Sequence, residues 1–160
     1  MRRTSPFHVV AVLLIVMLLA ATLSSFAQEK PKTLYQRIGG YDTIASVVDD
    51  FLGQLGKDPA FARFGQGRGQ DSLHRARQLI VDQICWLAEG PCVYIGRDMK
   101  TAHHGLAITP EEWDSAGKHL AASLDKFKIT GKDKDDFLAL IQKLRPDIVE
   151  PKPEAKKGQD

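Results

Sequence analysis

Ile44-Ala45-Ser46-Val47-Val48-Asp49-Asp50-Phe51-Leu52-Gly53-Gln54-Leu55 is the stretch that decides the class of this chain. Its apolar members Ile44, Val47, Val48, Phe51, Leu52 and Leu55 recur at steps of three, one, three, one and three. That spacing lines up along one face of a helix with 3.6 residues per turn. Gly39-Gly40 ahead of it and Gly56 behind it mark its ends. Asp58-Pro59 reads as an N-cap with a first-turn proline, opening a short helix that ends near Phe64, and the glycines at 65, 67 and 69 read as a loop.

The same periodicity continues outward. Over 71–88, Leu73, Ala76, Ile80, Ile84 and Leu87 form one stripe, with Gly90-Pro91 as the stop signal. A shorter helical stretch follows over 98–106. Thr109-Pro110-Glu111-Glu112 combines an N-cap, a first-turn proline and a capping-box glutamate, and introduces Trp113, Ala116, Leu120, Leu124 and Phe127 at helical spacing. After Gly131, the residues Phe137, Leu138, Ile141 and Leu144 give a last apolar face before Pro146. No two-residue alternation persists, so a sheet has no source and the expected class is all-α.

The chain's 160 residues suit one domain. Met1 to Phe7 carries Arg2 and Arg3 without an acid, Val9 to Leu23 is apolar apart from Thr22, and Ser25 and Ala27 supply the small side chains a signal peptidase needs. Residues 1–27 are therefore expected to be a secretory signal cut after Ala27, placing the protein outside the cytoplasm, in the periplasm of a bacterium. An uncleaved membrane anchor is the alternative, disfavoured because the apolar run falls short of the ~20 residues that span hydrocarbon. The Arg2-Arg3 pair lacks the context of a twin-arginine signal, so general secretion is preferred. Residues 28–32 read as a linker, 33–148 as the folded domain and 149–160, rich in proline and lysine, as a disordered tail.

Removing Arg2 and Arg3 with the signal leaves 20 cations against 20 acids, which argues against a phosphate-binding surface and against nucleic acid as partner. Two cysteines exclude a disulfide-rich scaffold and a four-thiolate metal site. Any metal must then rely on other ligands. His103 lies four residues after Met99 and three before Leu106, on the apolar side of its short helix, whereas His104 follows Lys100 onto a polar side. From these residues alone, a core histidine satisfied by a hydrogen bond stands ahead of a metal ligand.

Four segments in order shift that balance: Leu34-Tyr35-Gln36-Arg37-Ile38-Gly39-Gly40, Asp49-Asp50-Phe51, Gly90-Pro91-Cys92-Val93-Tyr94-Ile95-Gly96-Arg97 and Met99-Lys100-Thr101-Ala102-His103-His104-Gly105. Together they resemble the group I truncated haemoglobins from about Leu34 to Leu144. The resemblance implies a globin-like fold, a shortened two-over-two helical sandwich around one haem, with His103 as the proximal iron ligand. Neutral imidazole suits that role, one nitrogen on iron while the other donates to a carbonyl. The absence of a Cys-x-x-Cys-His motif makes the cofactor a b-type haem.

The resemblance also implies that Phe64 packs on the haem face and that Arg97 and Lys100 pair with propionates, a solvated role being equally open for either cation. Tyr94 and Trp113 become wall residues, Trp86 a partly buried packing residue, His119 a packing residue, and His74 and His104 exposed. The distal positions fall on Leu52, Ala76, Leu79 and Ile80, where relatives often carry tyrosine or glutamine. The expected distal side thus lacks a strong donor, and oxygen release is fast. Glu89-Gly90 stands where a Gly-Gly pair is usual. Cys85 and Cys92 span the Gly90-Pro91 turn; export permits a disulfide, but two free thiols are preferred because Cys85 lies in a helix and relatives regarded as cytoplasmic keep similar cysteines.

The function implied is reversible binding of oxygen or another small diatomic gas such as CO or NO. The alternative is a haem enzyme, a nitric oxide dioxygenase or peroxidase, which would need an external reductase because the chain has no flavin or nicotinamide fingerprint. A haem-free helical interaction module is the third reading. A membrane is a partner only if the N-terminal segment stays uncleaved.

Overall fold

The computed structural model of the chain describes Phe7 and residues 30–150. The segments read as signal peptide and as the 151–160 part of the tail lie outside the described residues, Phe7 apart. Two compact units divide the chain, Met1–Pro31 and Lys32–Asp160, and the helical domain is the second. Its elements are α1 (Leu34–Arg37), α2 (Gly40–Leu55), a 3-10 turn (Pro59–Phe61), α3 (Ala62–Gly65), α4 (Gln70–Leu87), α5 (Met99–His103), α6 (Pro110–Lys126), α7 (Gly131–Gln142) and α8 (Arg145–Ile148). No strand occurs among the described residues.

The start signals act as the sequence suggests. Asp58 accepts from the Ala60 N–H, and Thr109 and Glu112 close a capping box at the head of α6; Asp98, not read as a cap from the sequence, also accepts from the Thr101 N–H. Two short helices escape the periodicity. Thr33 and Gln36 form a capping box around α1, and Pro146 stands in the first turn of α8 instead of ending the preceding helix.

α4 and α6 both pack on α2, and α7 packs on α6 and α1. Both long pairs run antiparallel. The Tyr41 hydroxyl donates to Asp82 Oδ1 at 3.0 Å, while Asp49 and Arg77, further along α2 and earlier in α4, pair at 2.7 Å. On the other side Asp50 meets Lys126, and Gln54 meets Ser123 and His119.

The buried core is Ile38, Ile44, Val47, Val48, Val81, Ile84, Cys85, Leu120, Leu124, Ile129 and Phe137. It occupies one end of the bundle, comprising the start of α2 and the ends of α4 and α6. The apolar stripes run on past it. Leu52 and Leu55 on α2, Leu73, Ala76, Leu79 and Ile80 on α4, and Trp113 and Ala116 on α6 are all only half-buried. Because the helices are antiparallel, these residues gather at the other end of the bundle, where apolar surface remains uncovered. Trp86, expected to be partly buried, is 54% exposed. It sits about 200° around α4 from Ile84, on the outward face.

Candidate functional site

His103, the last residue of α5, is half-buried, with Nδ1 2.9 Å from the Met99 carbonyl oxygen. A carbonyl only accepts, so Nδ1 is the donor, and in the neutral tautomer that fits this bond the lone pair lies on Nε2. Nε2 has no hydrogen bond among the described residues. A core histidine would spend both nitrogens; this one keeps a donor atom in reserve. His104 is the C-cap of α5 and exposed, as is His74.

The chain around α5 is held closely. Before it, Tyr94 donates to the Arg97 carbonyl at 2.6 Å, and burial pushes its phenol up, with the Asp98 charge adding to the rise. Asp98 itself is held below the usual carboxylate range, chiefly by the Thr101 N–H. After it, the Gly105 N–H donates to Glu150 Oε1 at 2.8 Å and the Glu150 N–H to the Ile108 carbonyl at 3.0 Å, while α8 packs on α5. Val93 and Ile95 are each 76% exposed and Leu106 is 37% exposed, a further run of large apolar side chains without cover on either side of His103 in sequence.

Phe64 is half-buried on α3 with the Arg63 guanidinium 3.9 Å above its ring centroid. Leu52 and Ile80 pack against the core cluster, and Ala76 and Leu79 are half-buried on the same reach of α4. Gln78, directly before Leu79, is exposed and donates to the Tyr41 hydroxyl at 2.6 Å and to Asp82 at 3.0 Å. Arg97 and Lys100 are exposed, Tyr94 and Trp113 half-buried. An open cleft of about 420 Å³ lined by Pro110, Gln142, Arg145, Pro146, Val149 and Glu150 contains none of the residues singled out from the sequence.

The preference for free thiols is corrected: Cys85 and Cys92 are joined, with α-carbons 5.8 Å apart. Cys85 lies in the last turn of α4, where the helix does not keep the returning chain away. Glu89, at φ 62°, reverses the backbone, and the Gly90 N–H donates to the Cys85 carbonyl at 2.8 Å. A Cβ on Gly90 would lie 2.5 Å from the Tyr35 ring and 2.7 Å from Cys85 Sγ, so the turn closes only with glycine.

Two groups of residues were not visible as such from the sequence. His119 does pack, its ring edge-on to Phe61, but it also bridges: Nδ1 lies 3.1 Å from Gln54 Oε1 and Nε2 2.9 Å from Asp58 Oδ2. Gln54 donates to Asp50 and to Ser123, and the fully buried Ser123 hydroxyl donates to Asp50 at 2.9 Å. Lys126, then Gln54 and Ser123, draw the Asp50 carboxyl down to about 2, and the hydrogen bond from His119 lowers that of Asp58. Asp50 and Gln54, like His119 and Ser123, are i,i+4 pairs beside apolar stripes, which is the signal that could have exposed this network. The other is Arg63, for which nothing local in the sequence speaks.

Antiparallel helices packed at one end and only half covered along their apolar stripes at the other, with a half-buried imidazole anchored on the short α5, define an all-helical protein that offers His103 as a candidate ligand. The model of the bacterial-like globin family matches residues 33–150. Among similar proteins, the Group 1 truncated hemoglobin GlbN of Mycolicibacterium paratuberculosis is 28% identical over 126 residues, covering 79% of this chain and 90% of that one. The Group 1 truncated hemoglobin of Tetrahymena pyriformis is 27% identical over 120 residues, covering 75% and 97%. A crystal structure of the truncated hemoglobin from Tetrahymena pyriformis in its Fe(III) form superposes with a TM-score of 0.68 at 24% identity, over 75% of this chain and all of that one. The chain belongs to the bacterial-like globin family, among the truncated haemoglobins of group I. Haem with its iron is the cofactor of this family and gas binding its general business.

Proposed function

We propose that this chain is an exported b-type haem protein that reversibly binds oxygen or another small diatomic gas, with His103 as proximal ligand. The observation that carries the reading is the His103 ring, anchored through Nδ1 to the Met99 carbonyl with no partner for Nε2 among the described residues. Among the described residues no three His, Cys, Asp or Glu side chains gather to hold a metal, so an iron bound through His103 must bring its remaining ligands in its own macrocycle. The half-open apolar residues supply its surroundings: Phe64 on α3, and Leu52, Ala76, Leu79 and Ile80 as the distal wall. Arg97 and Lys100, both exposed, are the cations available to its propionates. When bound, haem supplies the iron at which a diatomic gas binds and leaves.

The chain's own part is to fix the imidazole tautomer, exclude water with aliphatic walls and withhold a distal donor. Gln78 is committed to Tyr41 and Asp82, and His74 is exposed, which supports a donor-free distal side. Export is supported by the Ser25-x-Ala27 boundary and by the Cys85–Cys92 disulfide, which suits an oxidising compartment. The deciding experiment is spectroscopic. His103→Gly is expected to lose the five-coordinate ferrous spectrum and recover it with added imidazole, whereas His104→Ala keeps it. The reverse pattern would move the ligand to His104.

A further inference from the structure

Arg63 stands where the open end of the bundle has to be closed. Its guanidinium reaches 43 and 44 residues along the chain, donating from Nη1 to the Leu106 carbonyl at 2.5 Å and from Nη2 to the Ala107 carbonyl at 3.1 Å. The same group forks onto Glu112, with Nη2 2.9 and 2.8 Å from the two carboxylate oxygens and Nε 3.2 Å from Oε1. It lies over the Phe64 ring as well. One side chain therefore ties α3, the turn that follows His103 and the first turn of α6.

The turn it grips needs holding. Ala107 is in the left-handed region at φ 48°, a conformation that a residue with a Cβ adopts only under constraint. Glu150 binds the turn at the Gly105 N–H and the Ile108 carbonyl, which leaves the carbonyls of Leu106 and Ala107 to Arg63. Glu112 is fixed in turn by the capping box, where its Oε2 accepts the Thr109 N–H at 3.0 Å, and it is only 17% exposed. A planar, five-donor fork is what this combination of two carbonyls, one carboxylate and a ring face requires; a lysine ammonium cannot meet all of them.

We propose that Arg63 is a positioning residue, a latch across the open end that fixes Phe64 against the turn after His103 and thereby sets how slowly haem leaves. The proposal rests on the haem reading above. It assigns Arg63 no contact with the iron or the gas, only with the walls that must part for haem to escape.

Haem transfer from the full chain to excess apomyoglobin tests it. Arg63→Gln is expected to speed haem loss about tenfold or more, the effect of removing a charged, multiply hydrogen-bonded contact. Glu112→Gln, which can still cap α6, should fall between wild type and Arg63→Gln. Arg77→Gln is the control, because it deletes an equivalent fork, onto Asp49 at 2.7 Å for both arms, between α2 and α4. It should stay within twofold of wild type. Equal effects of Arg63→Gln and Arg77→Gln, or no effect of Arg63→Gln, would overturn the latch. Wild-type protein that takes up no haem sinks the underlying reading instead; amide exchange over 104–109 in the haem-free chain then decides, since an intact latch predicts faster exchange in Arg63→Gln and unchanged exchange refutes it.

Discussion

Breaking the Cys85–Cys92 bond should cost this domain a large part of its stability. The bridge spans a sequence separation of seven, and the chain-entropy account for a loop of that size gives about 2.4 kcal/mol at room temperature. The native side adds to that figure. Cys85 is fully buried, and Gly90 passes so near Cys85 Sγ that even a Cβ would collide, so two separated thiols have little room. For a domain of this size the loss corresponds to a fall in melting temperature of roughly 7–14 °C.

Circular dichroism melts of the haem-free chain, oxidised and after a phosphine reductant, measure it directly. Cys92→Ala gives a second route that leaves the buried Cys85 in place. The reduced protein and the variant should melt close together and well below the oxidised protein. If all three melt within about 2 °C of one another, the cross-link contributes nothing and the loop is held by the Tyr35 N–H to Ala88 and Gly90 N–H to Cys85 backbone bonds alone. Two alkylatable thiols in protein taken from its native compartment would also remove the bond's support for export.

Acid should weaken the α2–α6 contact within a defined window. Asp50, drawn down to about 2, contributes stability that is present above its usual value near ~4 and is lost as pH falls towards 2, so Asp50→Asn should flatten melting temperature against pH over that range. Glu89→Gly should stabilise the chain by about 0.5–1 kcal/mol in denaturant titrations, because glycine relieves the φ of 62° and gives back part of the gain as unfolded-state freedom. Leu52→Tyr should slow oxygen release by roughly ten- to a hundredfold in stopped flow, by adding a hydroxyl donor where the proposed distal wall has none, and should change CO release much less. An unchanged oxygen rate would place Leu52 away from the ligand.

What the sequence displayed was whatever rests on neighbours within a few turns. The 3.6-residue stripes and the signals at Asp58-Pro59 and Thr109-Pro110-Glu111-Glu112 are local, and each of the two signals marks a helix start seen in the structure. The facing of His103 followed from Met99 and Leu106, and its anchor is the carbonyl four residues back. α1 and α8, four residues each, are too short for a stripe, which is why Pro146 looked like a stop. The residues that close the site depend on pairings 43 to 65 residues apart, Arg63 with the turn after α5 and His119 with Asp58 and Gln54, and no helical period reports those.

The polar network also explains why the open end stays open. Apolar stripes by themselves favour any register that covers more of their length, and sliding α6 along α2 would bury more of Leu52, Leu55, Trp113 and Ala116. Such a slide would part the Asp50 carboxylate from Ser123 and Lys126 and part Gln54 from Ser123 and His119, while the buried Ser123 hydroxyl would keep only the His119 carbonyl of its own helix. Unsatisfied buried polar groups cost about 1–3 kcal/mol each, and more when charged, whereas covering the remainder of a half-buried side chain gains about 1 kcal/mol. Breaking the network therefore opposes the slide with a cost of the same order as the cover it would gain. Asp50, Gln54, His119 and Ser123 thereby favour the observed register, in which the helices are packed at one end and half covered at the other.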